Sequence, residues 1–185
     1  MRRIFDSLRV SGPDYPISDS ALGDPQRQTK PKGKPWRVGF ARTHTWQYAP
    51  RYAQDAIESF IKKLASADGI SVTDAPLPVE MRRAHEVHQT IYDKSLAYYF
   101  KGEHKQSDFV SPVMNEIIAR GNALPAEAFA AALASQNELI RSMDEYMQDF
   151  DVLISLSTAG EAPMRDVTES PDPALMWTLA HLPVV

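Results

Sequence analysis

The chain has 185 residues, 20 Lys and Arg against 24 Asp and Glu, five His and no Cys. Its length suits one domain, and 43% hydrophobic with 24% charged residues is the make-up of a folded chain, not a disordered one. The missing Cys rules out a disulfide framework, a thiolate metal site and a Cys nucleophile within these residues. A net charge of −4 argues against a nucleic-acid partner.

Met1-Arg2-Arg3 is followed only by Ile4-Phe5 before Asp6, which makes no signal-peptide core. No apolar run approaches the roughly 20 residues of a membrane span. A cytoplasmic protein with no membrane contact is expected. Residues 1–35 read as an extended lead-in, with turn signals at Ser11-Gly12-Pro13-Asp14 and Tyr15-Pro16. The basic run Lys30-Pro31-Lys32-Gly33-Lys34-Pro35 lacks interleaved aromatics and reads as a solvated linker.

Order is expected over 36–185. Trp36-Arg37-Val38-Gly39-Phe40-Ala41 reads as a short strand. After Pro50, Ala53, Ile57, Phe60, Ile61 and Leu64 recur at helical spacing, with Asp55, Glu58, Lys62 and Lys63 opposite. Asp68-Gly69 ends that helix, Gly taking the left-handed turn. Ile70-Ser71-Val72-Thr73-Asp74 is the next strand. Strand, helix and strand over 36–74 make a βαβ unit, whose two strands are parallel and whose crossover is right-handed.

Three helices are expected next: Val79 to Lys101, Pro112 to Arg120, and Pro125 to Phe150. The last carries a stripe of Phe129, Leu133, Gln136, Ile140, Met143, Met147 and Phe150, with Gln136 its one polar member, and reads as packing against a sheet or helix. Val152-Leu153-Ile154 opens a strand with no alternation, which predicts a central, buried, parallel position. Small residues from Ser155 to Pro163 form a loop, and a short helix from Ala174 to His181 precedes the β-prone tail Leu182-Pro183-Val184-Val185. The expected fold is α/β: a small, mainly parallel sheet of three or more strands covered by helices.

His85-Glu86-Val87-His88 fails the spacing of a zinc-protease helix, which needs His at i and i+4, and no third ligand is suggested. No metal is expected. There is no Gly-x-Ser-x-Gly elbow and no Ser-Ser pair, so no catalytic residue is assigned. With eight Gly dispersed along the chain there is no phosphate loop, and no cofactor is expected. Ligands of parallel sheets collect beyond the carboxyl ends of the strands. Those ends carry Arg42-Thr43-His44 and Ser157-Thr158-Ala159-Gly160. If the two strands are neighbours, Arg42, His44 and Ser157 line a shared crevice; they can equally be loop residues facing water.

From Trp36 onward the chain resembles the later half of the amidase signature family, which includes bacterial amidases and the A subunits of tRNA-dependent amidotransferases. Asp151-Val152-Leu153-Ile154-Ser155-Leu156 resembles the family's Asp-Val-Leu-Leu-Thr-Pro strand, and Gly160-Glu161-Ala162-Pro163 its Gly-Glu-Ala-Pro loop. Leu156 stands where Pro is usual. Trp177-Thr178-Leu179 and Leu182-Pro183 resemble the Trp-Thr-Leu-x-Gly-x-Pro segment, with His181 where Gly is usual. Arg37-Val38-Gly39, Ser111-Pro112, Arg120-Gly121 and Pro125-Ala126 fall in the same order as the family's elements, and Ser7-Leu8-Arg9-Val10-Ser11-Gly12-Pro13-Asp14 resembles the bridge after its signature region.

The resemblance implies hydrolysis of carbon–nitrogen amide bonds on a partial amidase signature fold, with Thr158 and Trp177 near the substrate. The family's Ser, second Ser and Lys lie in a Gly/Ser-rich signature region with no counterpart in these residues. The resemblance therefore implies a slice of an amidase cut at both ends and inactive alone, which would take a small amide only when completed. The alternatives are an interaction protein, pairing with itself or with a complementary amidase fragment, and a small-ligand-binding α/β module.

Overall fold

Three parallel strands stand in the order β2-β1-β3: β1 is Trp36–Phe40, β2 Ile70–Asp74 and β3 Val152–Ile154. The computed structural model describes residues 35–165, 167 and 169–184. The expected lead-in, the basic run and the bridge after the signature region fall outside these residues, Pro35 excepted.

β1 pairs with β2 from Trp36↔Ile70 to Phe40↔Asp74 and with β3 from Val38↔Val152 to Phe40↔Ile154. The expected βαβ unit is present, with α1 (Arg51–Ala65) between β1 and β2 and Gly69 at φ 74° in the turn before β2. Val38 and Phe40 are 5% and 3% exposed. Gly39 between them has no room for a side chain: a Cβ there would stand 2.6 Å from Leu153 Cδ2 and 2.8 Å from Phe150 Cδ1. A strand flanked this closely on both sides must carry Gly at such a point.

The position of β3 departs from expectation. Among the described residues the strand is at the edge, not the centre, and Val152 is 41% exposed. Three residues are too few for the missing alternation to separate a central strand from an edge strand with one well-packed side chain. Only Leu153 packs against the main core. Arg37 holds the edge in place, donating from its backbone N and from Nη2 to Asp151 at 2.9 and 3.2 Å and from Nη1 to the Gln148 carbonyl at 2.8 Å.

The helices beyond β2 form the rest of the body: α2 (Ala84–Tyr99), preceded by a 3-10 turn at Val79–Arg83, then α3 (Pro112–Ala123), α4 (Ala126–Tyr146) and α5 (Leu175–Leu179). Ser111 caps α3, its Oγ accepting from Met114 N at 3.2 Å, with Pro112 in the first turn, where its missing N–H costs nothing. α2 packs against α3, α4 and α5. The core gathers Met81, Ala84, Val87, Ala132, Leu139, Met143, Met176, Trp177 and Leu179. Wholly buried side chains such as Leu139, Met143 and Met176 contribute about 1.5–3 kcal/mol each.

The buried row of α4 is Ala132, Leu139 and Met143, so the expected stripe is rotated: Leu133 is 37% exposed and Leu139 wholly buried. A strict 3-4 alternation drifts off one face of a 3.6-residue helix, and Ala132, too small to stand out in the sequence, lies in the core. Gln136 keeps its place on the inner side by donating from Nε2 to the Leu179 carbonyl at 3.0 Å. Among the described residues no helix is long and apolar enough to cross a membrane.

Candidate active-site clefts at the strand ends

The carboxyl ends of β1 and β3 are adjacent, as a shared crevice requires. The loops that leave them nevertheless diverge into separate clefts. After β3, Ser157, Thr158 and Gly160 line a cleft of about 530 Å³ with Pro50, Tyr52 and Glu161. After β1, Arg42 and His44 line another of about 540 Å³ with Tyr48, Leu77, Met81 and Arg82. Trp177 lines a third, of about 410 Å³, along β3 with Leu153, Ser155, Leu182 and Val184. Ser157 borders both the first and the third.

Local bonding decides what each side chain can offer. The Thr158 hydroxyl is turned back on its own loop, donating to the Gly160 carbonyl at 2.9 Å and accepting from Gly160 N at 3.2 Å. That loop is anchored from α1: the Tyr52 hydroxyl accepts the Glu161 N–H at 2.7 Å. Arg42 is committed elsewhere. Its guanidinium pairs with Asp74 at the end of β2 and Glu58 on α1, and it lies over the Phe40 ring 4.4 Å from the centroid. Arg42 therefore ties three elements together, with two of its guanidinium nitrogens paired to carboxylates.

Trp177 is 6% exposed, and its indole Nε1 donates to Ser155 Oγ at 3.0 Å. Ser155 in turn donates to the Leu156 carbonyl at 3.3 Å. The hydroxyl beside the Trp is thus used for support. Lys94, whose Nζ donates to the Gly121 and Leu124 carbonyls, holds the α2–α3 corner. Among the described residues no lysine amine is hydrogen-bonded to a serine hydroxyl.

Histidines supply the titratable character. His44 meets His85 edge to face, ring centres 4.8 Å apart. Burial, then the positive charges of His85 and Arg82, hold the His44 pKa below the ordinary imidazole value. His88 stacks on Tyr92 at 5.5 Å. Its pKa is also lowered, by burial and then by His85, with Asp172 pulling the other way. His85 and His88 share a further cleft of about 470 Å³ with Tyr92, Arg120, Asp172 and Thr178. Among the described residues no three His, Asp or Glu side chains gather as a metal-binding set.

Sequence reasoning missed Tyr52 and Ser155 as supports and the meeting of His44 with His85. All three depend on contacts between distant segments, and α1 showed only an amphipathic period. His85 did draw attention, through its spacing from His88, but for a metal.

The sequence model of the Amidase family matches residues 6–185. The crystal structure of a bacterial aryl acylamidase of the amidase signature enzymes shares the fold with a TM-score of 0.57 at 14% identity, over 80% of this chain and 34% of that one. The chain thus spans about a third of the length of the solved amidase it matches. No curated protein matches it.

Proposed function

The chain belongs to the amidase family, and we propose that these 185 residues supply scaffold and part of the substrate wall of an amide carbon–nitrogen hydrolase without its reacting groups. Taken alone they do not cleave amides. One observation carries this reading: two hydroxyls after β3, those of Thr158 and Ser155, are bonded for support, Thr158 to Gly160 and Ser155 to Trp177, with no lysine at either. Amide hydrolysis needs a nucleophile activated by a neighbouring base and donors preorganised for the oxyanion. The family resemblance assigns the nucleophile, its second Ser and its Lys to a Gly/Ser-rich region to which none of these residues corresponds. Thr158 and Trp177 would then flank a small amide once the site is completed, and the absence of Cys suits a cytoplasmic setting.

A fluorophosphonate probe, which labels activated serines, tests this. The chain is expected to remain unlabelled, as after heat denaturation. Stoichiometric labelling of one serine in the folded chain alone would overturn the proposal.

A second reading has its own support. β3 is paired on one side only among the described residues, and beside it runs the apolar groove of Leu153, Leu156, Trp177, Leu182 and Val184. An open strand edge with apolar surface beside it accepts a further strand. On this reading the occupant is a complementary amidase fragment or a second copy of this chain. Light scattering distinguishes them: a dimer favours self-association, and a monomer that gains amidase activity on adding a signature-containing chain favours complementation. A monomer that gains none contradicts this second reading.

A further inference from the structure

We infer that the His44–His85 contact is an acid-sensitive latch: while His44 is neutral it holds the loop after β1 against the head of α2, and protonation of His44 releases that loop. The inference rests on how the two rings meet and makes no use of amide chemistry.

His85 Nε2 lies 2.8 Å from the backbone carbonyl oxygen of Asp172. A carbonyl only accepts, so Nε2 carries the proton and Nδ1 of the neutral ring does not. His44 packs against this fixed ring at an interplanar angle of 88°. Nδ1 of His44 and Nδ1 of His85 are both buried without a hydrogen-bond partner. The nearest hydroxyls on the loop, those of Thr43 and Thr45, are buried and bonded to each other at 2.9 Å. A neutral His44 fits this site with an unprotonated Nδ1. A protonated one would carry a buried N–H at Nδ1 with no acceptor in place.

The surrounding charges do not relieve it. Arg82 comes from the turn Val79–Arg83, and His85 and His88 come from α2; each of the three is cationic or becomes so in acid. Asp172 lies beyond His85 and acts on His88. Arg42, on the same loop, is held by Asp74 and Glu58. Relief on protonation therefore requires movement. The consequence reaches two clefts, since His44 lines the one containing Arg82 and His85 lines the one containing Asp172. Separating the rings opens the wall between them.

Hydrogen exchange of the whole chain at pH 7.5 and 5.5, corrected for intrinsic rates, with a parallel NMR titration of the His44 ring, tests the latch. Protection over residues 43–49 is expected to fall at least fivefold more than over α4, following the His44 titration. His44→Phe, which keeps an edge-to-face ring and cannot be charged, should show equal protection at both values. Unchanged protection of 43–49 while His44 titrates would overturn the inference, as would the same loss in His44→Phe. Should His44→Phe not fold, the wild-type chain decides: loss of protection must coincide with the His44 titration, and a mismatch refutes the latch.

Discussion

The indole Nε1 of Trp177 donates to Ser155 Oγ at 3.0 Å, tying α5 to the carboxyl end of β3 across 22 residues of sequence. The bond explains how a three-residue edge strand and a five-residue helix keep their places. Ser155→Ala leaves a largely buried N–H without its partner, which costs about 1–2 kcal/mol. Urea unfolding should show that loss, and Ser155→Thr should recover most of it. Equal stability of Ser155→Ala and wild type would mean the bond contributes nothing.

α2 and α3 approach each other closely at Gly121. A Cβ on Gly121 would stand 2.0 Å from the Asp93 carbonyl oxygen, whereas one on Gly102 would meet nothing within 4 Å. Asp93, 4% exposed, is bound beside that contact by Arg120 through Nε at 2.8 Å and Nη2 at 3.1 Å. Gly121→Ala must push the two helices apart and is expected to destabilise by about 2–3 kcal/mol or more. Gly102→Ala should be neutral within about 0.5 kcal/mol. Thermal unfolding of the pair provides its own control.

His181 sits at φ 56°, the left-handed region, at the position where the family's Trp-Thr-Leu-x-Gly-x-Pro segment has Gly. An L side chain there costs roughly 1–2 kcal/mol, while Gly brings its own backbone-entropy cost of about 0.5–1 kcal/mol. His181→Gly is therefore expected to match or slightly exceed wild type. His181→Val, β-branched, should lose about 1–2 kcal/mol. Similar stabilities for Gly and Val would show that the conformation is not maintained in solution.

Stability should depend on pH through the histidines. The folded-state pKa of His44 and of His88 is lowered, so below about pH 6.5 the unfolded chain binds protons that the folded chain does not. Unfolding free energy is then full above pH 6.5 and falls with acidification until the folded-state values are passed. His88→Gln should reduce the slope between pH 6.5 and 5.5 in urea unfolding. A wild-type slope in that variant would assign the dependence elsewhere.

Most elements were legible because each rests on local pattern: the period of α1, the turn at Gly69, the Ser111-Pro112 start of α3 and the strand–helix–strand order that makes β1 and β2 parallel. The place of β3 was not, since three apolar residues read alike at an edge or a centre. Nor was the inward face of α4, where Ala132 and Leu139 are buried and Leu133 is not. The strand-end residues were found by position, but their separation into clefts depends on Arg42 being held by Asp74 and Glu58 and on Thr158 folding onto Gly160. Contacts between segments this far apart leave no periodic trace in a single sequence.

The central question is whether these residues alone contain a working hydrolytic centre. The direct measurement is product release from a panel of aliphatic and aryl amides by the purified 185-residue chain, followed by mass spectrometry. No turnover above buffer is predicted. Saturable hydrolysis abolished by replacing one serine or lysine of this chain would contradict it.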